Sequence, residues 1–180
     1  MAIRPILLHP DPRLKKRCDP VETIDDGIRT LVADMFETMY AAPGIGLAAP
    51  QIGTLIRVIV MDCAKGEDDD PEPIAMVNPQ VVWESEDLNV HEEGCLSIPE
   101  EYNDVERPAQ VRVAYTDPDG TAQEIECDGL LATCVQHEID HLNGKLFIDY
   151  LGPMKRQMIT GRMKKRKKER AASKGTTAKV

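Results

Sequence analysis

Towards the C-terminal end of the chain stands His137-Glu138-Ile139-Asp140-His141. On a helix, positions i and i+4 share a face, so both imidazoles can reach one metal ion. Glu138 would then lie beside the ion, where a carboxylate can take a proton from a water that the ion activates. Two histidines, an ion and a general base form a set for hydrolysing a carbonyl compound. The chain has only four histidines. Two of them at this spacing around a glutamate favour that chemistry over a helix carrying two structural histidines.

A hydrolytic metal site needs a third protein ligand and one position left for water. Cys134 shares the helical stripe with His137 and His141, at i, i+3 and i+7. Seven residues at a ~1.5 Å rise span about 10 Å, so an ion held by both histidines would be far from that sulfur. Cys134 is expected to pack beside the site. The extended metalloprotease pattern would place a third histidine at position 147, but Phe147 cannot ligate. Cys95, in Glu92-Glu93-Gly94-Cys95-Leu96-Ser97, is the remaining candidate, with Gly94 permitting close backbone approach. A free cysteine is as often a small buried hydrophobe, and composition alone does not choose between these readings.

Several elements must position these groups. Ile28, Leu31, Val32, Met35 and Met39 recur at helical spacing, and Thr23 with Asp26 resembles a capping box ahead of them. Pro43-Gly44 ends that helix. Arg57–Met61 reads as a buried strand. Ile74–Val77 reads as a second, ended by Asn78-Pro79, and Val81-Val82-Trp83 opens a third. Gln110–Thr116 alternates as a half-buried strand, and Asp117-Pro118-Asp119-Gly120 turns it back through Ala122–Cys127. A mostly apolar helix over 130–142 carries the two histidines, and a last helix begins after Gly152-Pro153. The expected fold is α+β: small antiparallel sheets around a buried central helix bearing the His-Glu-x-x-His motif, plus a C-terminal helix.

The chain has 180 residues, 42% hydrophobic and 4% aromatic, which suits one soluble domain with an aliphatic core. No apolar run is long enough to span a bilayer, and no secretory segment is read. Five cysteines make an odd count, which fits reduced thiols in a cytoplasm better than a disulfide framework. Residues 155–180 hold eleven Lys or Arg against one acid, so this stretch is +10 and residues 1–154 carry −19 of the net −9. The expected organisation is a single catalytic domain over 1–154 and a basic helix with a frayed tail over 155–180, fraying beyond Lys168. The acidic body excludes general nucleic-acid binding, whereas the tail could contact phosphates or merely aid solubility.

Three segments together resemble the motifs of bacterial peptide deformylases: Gly44-Ile45-Gly46-Leu47-Ala48-Ala49-Pro50-Gln51, Glu93-Gly94-Cys95-Leu96-Ser97 and Gln136-His137-Glu138-Ile139-Asp140-His141. Their order and separations fit, and the likeness runs from about Arg4 to Arg156. It implies hydrolytic removal of the formyl group from the N-terminal formylmethionine of newly made proteins. It implies that Cys95, His137 and His141 bind one divalent metal ion, Fe(II) by expectation, with Zn(II), Ni(II) or Co(II) also accepted. Water activated by the ion would attack the formyl carbonyl, with Glu138 as general acid/base. The Gln51 amide and the Leu96 N–H would bind the developing oxyanion. Ile45, Gly46, Leu130 and Cys134 would hold the methionyl peptide. His91 and Thr133 depart from the apolar or aromatic residues many relatives carry, implying a more polar pocket rim. In some relatives the last helix docks on the ribosome, so Lys155, Arg156, Arg162, Lys164, Lys165, Arg166, Lys167, Lys168 and Arg170 are candidate rRNA contacts. His9 is read as a surface residue. Two rival readings are a general zinc peptidase and a non-catalytic, metal-stabilised ribosome-associated factor.

Overall fold

The computed structural model describes residues 2–64 and 70–176. Strands β1 (Gly46–Ala48), β2 (Val58–Met61), β3 (Ile74–Glu84), β6 (Gln110–Thr116) and β7 (Ala122–Asp128) form one antiparallel sheet in the order β1-β2-β3-β6-β7. Strands β4 (Leu88–Cys95) and β5 (Ile98–Pro108) form a separate hairpin. Helix α1 (Asp26–Ala41) packs on one face of the large sheet and helix α2 (Gly129–Leu142) on the other. The period of two in β2 makes this possible. Val58 and Val60 meet Val32, Met35 and Met39 of α1, while Ile59 and Met61 meet Val135, Ile139 and Leu142 of α2. This is the expected α+β arrangement around a buried helix.

Three local expectations need correction. The N-cap of α1 is Asp25, whose carboxylate accepts from Ile28 N–H at 3.0 Å, not Thr23 two residues earlier. Asn78-Pro79 does not end a strand: β3 runs through it with a register shift between Val77 and Gln80. Asn78 takes φ +53°, and its side-chain amide donates to Val21 O and accepts from Val21 N–H, so a breaker becomes a pinned bulge. The β4–β5 hairpin shows no strand signature in the sequence, because charged Glu93, Glu101 and Arg107 point inward while Leu88, Val90 and Tyr102 face solvent.

Helix α3 (Pro153–Thr176) continues past Lys168 instead of fraying there, through a stretch rich in Lys, Arg and Ala that favours helix. Its first half is a packed element. Ile159 and Met163, four apart, enter a core with Leu14, Ile98, Val105, Phe147 and Ile148. Arg162 reaches Glu101 at 2.6 Å, and Arg166 bonds Pro99 O and Glu100 at 2.5 Å each. His9 is not at the surface: α3 covers it, and its Nε2 pairs with Thr160 Oγ1 at 3.0 Å.

Met163→Ala should therefore cost about 2–5 kcal/mol of stability, as for other buried methionines. A shift in the urea midpoint measures it; an unchanged midpoint would show that α3 is not part of the core.

Candidate metal centre

Two elements converge near the C-terminal end of α2. Cys95 ends β4, and His137 and His141 lie one turn apart on α2. Their ligating atoms all fall within 4.8 Å of one another, with Cys95 Sγ 3.3 Å from His141 Nε2. Among the described residues this is the one Cys/His/Asp/Glu group so arranged. Cys134 stays outside it: its sulfur faces Ile45 O at 3.6 Å. Phe147 occupies the position a third histidine would take, and its ring stacks 6.4 Å from that of His137.

The surroundings suit a cation. His137 Nδ1 meets Glu93 Oε2 at 2.9 Å, which commits that nitrogen to donating and leaves Nε2 for an ion. Glu93 is itself held by Arg107, Nε to Oε1 at 2.5 Å and Nη2 to Oε2 at 3.0 Å. Burial alone would raise the Glu93 pKa, but donors from His137 and Arg107 hold it below its ordinary value. Burial keeps His141 neutral, well below the usual imidazole range, helped by the charges of His137 and Arg107. At His137 burial opposes charge as well, yet Cys95 and Glu93 outweigh it and draw the pKa well up. A positive charge is thus favoured between the sulfur and the rings, where an ion would supply it. A soft thiolate with two imidazoles is a donor set for a divalent transition metal.

Glu138 points into the same space. It is 4% exposed, and its Oε2 has no hydrogen-bond partner. Burial pushes its carboxyl up to about 7, against the pull of the His137 charge. Gln51 lies opposite on a 3-10 turn (Ala49–Ile52). Its Oε1 accepts from Ala48 N–H at 2.8 Å, so its NH2 must face the site, 3.1 Å from Ser97 Oγ and 3.5 Å from Cys95 Sγ. Leu96 follows Cys95 in the two-residue turn between β4 and β5.

A cavity of about 790 Å³ opens here. Ile45, Gly46, Gln51, Cys95, Leu96, Leu130, Cys134, His137 and Glu138 line it, so the sequence-predicted site residues meet in one place, with His141 behind its wall. Two expectations about its rim change. His91 is not among the lining residues; it pairs with Asn89 at 3.0 Å on the hairpin. Thr133 does line the cavity, but its hydroxyl donates back to Gly129 O at 3.2 Å, so less polarity is presented than the residue type implies. Glu93, Ser97 and Arg107 belong to the site without being marked as functional by residue type. Glu93 and Ser97 lie in the motif around Cys95, whereas no local signal marks Arg107.

A family profile described as polypeptide deformylase matches residues 3–157. A peptide deformylase of Rhizobium meliloti (strain 1021) is 55% identical over 172 residues, covering 96% of this chain and 98% of that protein. Among solved structures, a peptide deformylase from Legionella pneumophila matches with a TM-score of 0.86 at 49% identity, covering 94% of this chain and 98% of that one. The peptide deformylase from Ehrlichia chaffeensis in complex with actinonin matches with a TM-score of 0.88 at 41% identity, covering 92% and 98%.

Gly46 lies against the site with no room to spare: a Cβ there would sit 2.4 Å from Glu138 Oε1 and 2.9 Å from Cys134 Sγ. Gly46→Ala should push the carboxylate aside and lower kcat by ~10²-fold, the scale of a 1 Å misplacement. Bound metal per chain should stay the same, which elemental analysis of the purified variant checks.

Proposed function

The chain belongs to the polypeptide deformylase family, and we propose that Glu138, Gln51 and Leu96 carry out its hydrolysis of the formyl group of N-formylmethionyl peptides. The observation that carries this reading is a buried carboxylate without a partner, Glu138, facing the same cavity as a Cys-His-His donor set. Cys95, His137 and His141 would hold one divalent ion. That ion, when bound, lowers the pKa of a coordinated water to ~7 and polarises the formyl carbonyl. Glu138 accepts the proton of the attacking water and returns one to the leaving amine; a carboxyl raised by burial suits both roles. Gln51 donates from its amide, and Leu96 from its backbone N–H, to the formyl oxygen as it gains charge. Ala48 fixes the Gln51 rotamer, so the donor is aimed before substrate arrives.

The methionine side chain would enter the space lined by Ile45, Leu130 and Cys134, with Gly46 giving the backbone access. β1 is an edge strand of the sheet, so its outer side can accept a peptide as an added strand. Actinonin, bound by the Ehrlichia relative, is expected to compete for this cavity.

We propose Fe(II) as the cellular ion, with Zn(II), Ni(II) and Co(II) able to replace it, and Cys95 as the group that oxygen attacks. A general zinc peptidase is disfavoured because Phe147 stands where its third histidine would be. A non-catalytic ribosome factor would need neither Glu138 nor Gln51. We assign residues 1–154 to one catalytic unit, onto which the basic helix is docked. No described helix is long and apolar enough to cross a membrane, and all five cysteines are free. We propose a cytoplasmic location, which the free thiols support.

For ribosome contact we propose a narrower surface than the count of basic residues suggests. Arg156, Arg162 and Arg166 are paired with Asp149, Glu101 and Glu100, and Lys155 bonds Asn103. Lys164, Lys167 and Lys168 remain exposed. The side chain of Arg170 lies outside the described residues.

The function is tested with formyl-Met-Ala-Ser and acetyl-Met-Ala-Ser under anaerobic conditions with iron supplied. The formyl peptide alone should be turned over, and Glu138→Ala should lose ~10²–10⁴-fold in kcat with the metal retained. Equal cleavage of both peptides would refute the reading. For the tail, Lys164→Gln, Lys167→Gln and Lys168→Gln together should weaken ribosome binding and flatten its salt dependence by ~0.7–0.9 per lost phosphate contact. Deformylation of the short peptide should be unchanged, and unchanged ribosome binding would dismiss the docking surface.

A further inference from the structure

The donor atoms of the metal centre come from two bodies that share no strand pairing. Cys95 lies on the β4–β5 hairpin, which forms its own sheet, and the histidines lie on α2, which packs on the five-stranded sheet. A ladder of main-chain hydrogen bonds therefore does not set the distance from the sulfur to the imidazoles. Metal coordination at ~2.0–2.3 Å tolerates little error in that distance, so some other contact must fix it.

We infer that Arg107 is the positioning residue that joins the strand bearing the sulfur to the helix bearing the imidazoles. Its guanidinium is 4% exposed and grips both bodies at once. Towards the hairpin, it holds Glu93, two residues before Cys95, with two parallel bonds of 2.5 and 3.0 Å. Towards the helix, its Nη1 donates to Asp140 Oδ2 at 2.8 Å, and Asp140 lies between His137 and His141. Tyr150 completes the joint. Its hydroxyl donates to the same Asp140 oxygen at 2.8 Å, and its ring lies 4.6 Å from the guanidinium carbon. Glu93 also accepts a hydrogen bond from His137 Nδ1, so one arm of the brace ends on a ring of the donor set.

The chemistry requires arginine here. A planar fork can bind one carboxylate through two nitrogens and still reach a second with the third. Lysine has one nitrogen and would satisfy one arm at a time. A buried cation between two carboxylates also resists leaving, because its removal strands both charges in a dry place.

This inference rests on the ligand assignment above but not on the reaction, and the test separates the two. Asp140→Asn keeps the shape and weakens the helix arm; Arg107→Lys keeps the charge and loses the fork. The full chain and each variant are loaded with zinc or, separately, with cobalt(II). Zinc release to a chromophoric chelator, the cobalt visible absorption, the thermal melt, and kcat and KM on formyl-Met-Ala-Ser are then recorded. Both variants should release zinc about 10–100-fold faster and show a shifted cobalt spectrum. They should lose kcat more than they raise KM. Zinc release and a cobalt spectrum like those of the parent chain, with or without a lowered melting temperature, would overturn the proposal. If Arg107→Lys fails to fold, Asp140→Asn decides alone. A parent chain that holds no zinc would remove the ligand assignment and this inference together. One that holds zinc but spares the formyl peptide would remove the functional reading only, and the release rates would still decide the role of Arg107.

Discussion

Bringing a cysteine sulfur, two imidazoles and a carboxyl group within a few ångströms of each other, away from water, is the costly step in this molecule. Buried polar groups must be paired, and buried charges must be paired closely. Here part of the pairing is internal: His137 to Glu93, Glu93 to Arg107 and Gln51 to Ala48. The atoms left over are the informative ones. Glu138 Oε2 has no protein partner, and three ligand atoms face one another. Those are the atoms on which the proposed ion, water and substrate would act.

The rest of the fold serves that cluster. α2 is apolar enough to be buried, so its histidines and glutamate are buried with it. β1 crosses beside α2 closely enough that Gly46 touches Glu138, which only a residue without a side chain allows. The hairpin delivers Cys95 and then turns at once, so Leu96 follows the sulfur along the cavity wall and Ser97 turns to Gln51. Local chain direction sets each of these placements, and packing across the two bodies sets their relation.

The parts of this arrangement legible in the sequence are those written in short spacings. The i, i+4 histidines, the heptad-like stripe of α1 and the alternation of β6 and β7 each lie within one element, and all were read. The misread parts depend on contacts distant in sequence. Asn78 looks like a strand end until Val21 pins it 57 residues away. His9 looks exposed until Thr160 covers it from 151 residues away. Arg107 is one charged residue among many in a polar strand; its worth comes from Glu93 and Asp140, 14 and 33 residues off. Thr133 was read as polar by residue type, but its hydroxyl is spent on its own helix. The hairpin is illegible in the sequence because its inward positions include Glu93, Glu101 and Arg107 and its outward ones Leu88, Val90 and Tyr102, the reverse of the usual alternation.

β1 is three residues long and stands at the margin of its sheet. Its side chains are spent inward, Leu47 towards α1 and Ala48 towards α2; what it offers outward is a row of peptide groups. Amides are the same in every polypeptide, whatever side chains they carry. An incoming chain aligned there would be gripped by what all proteins have in common, with discrimination left to its first residue. That division of labour suits a catalyst whose clients share a beginning and nothing else.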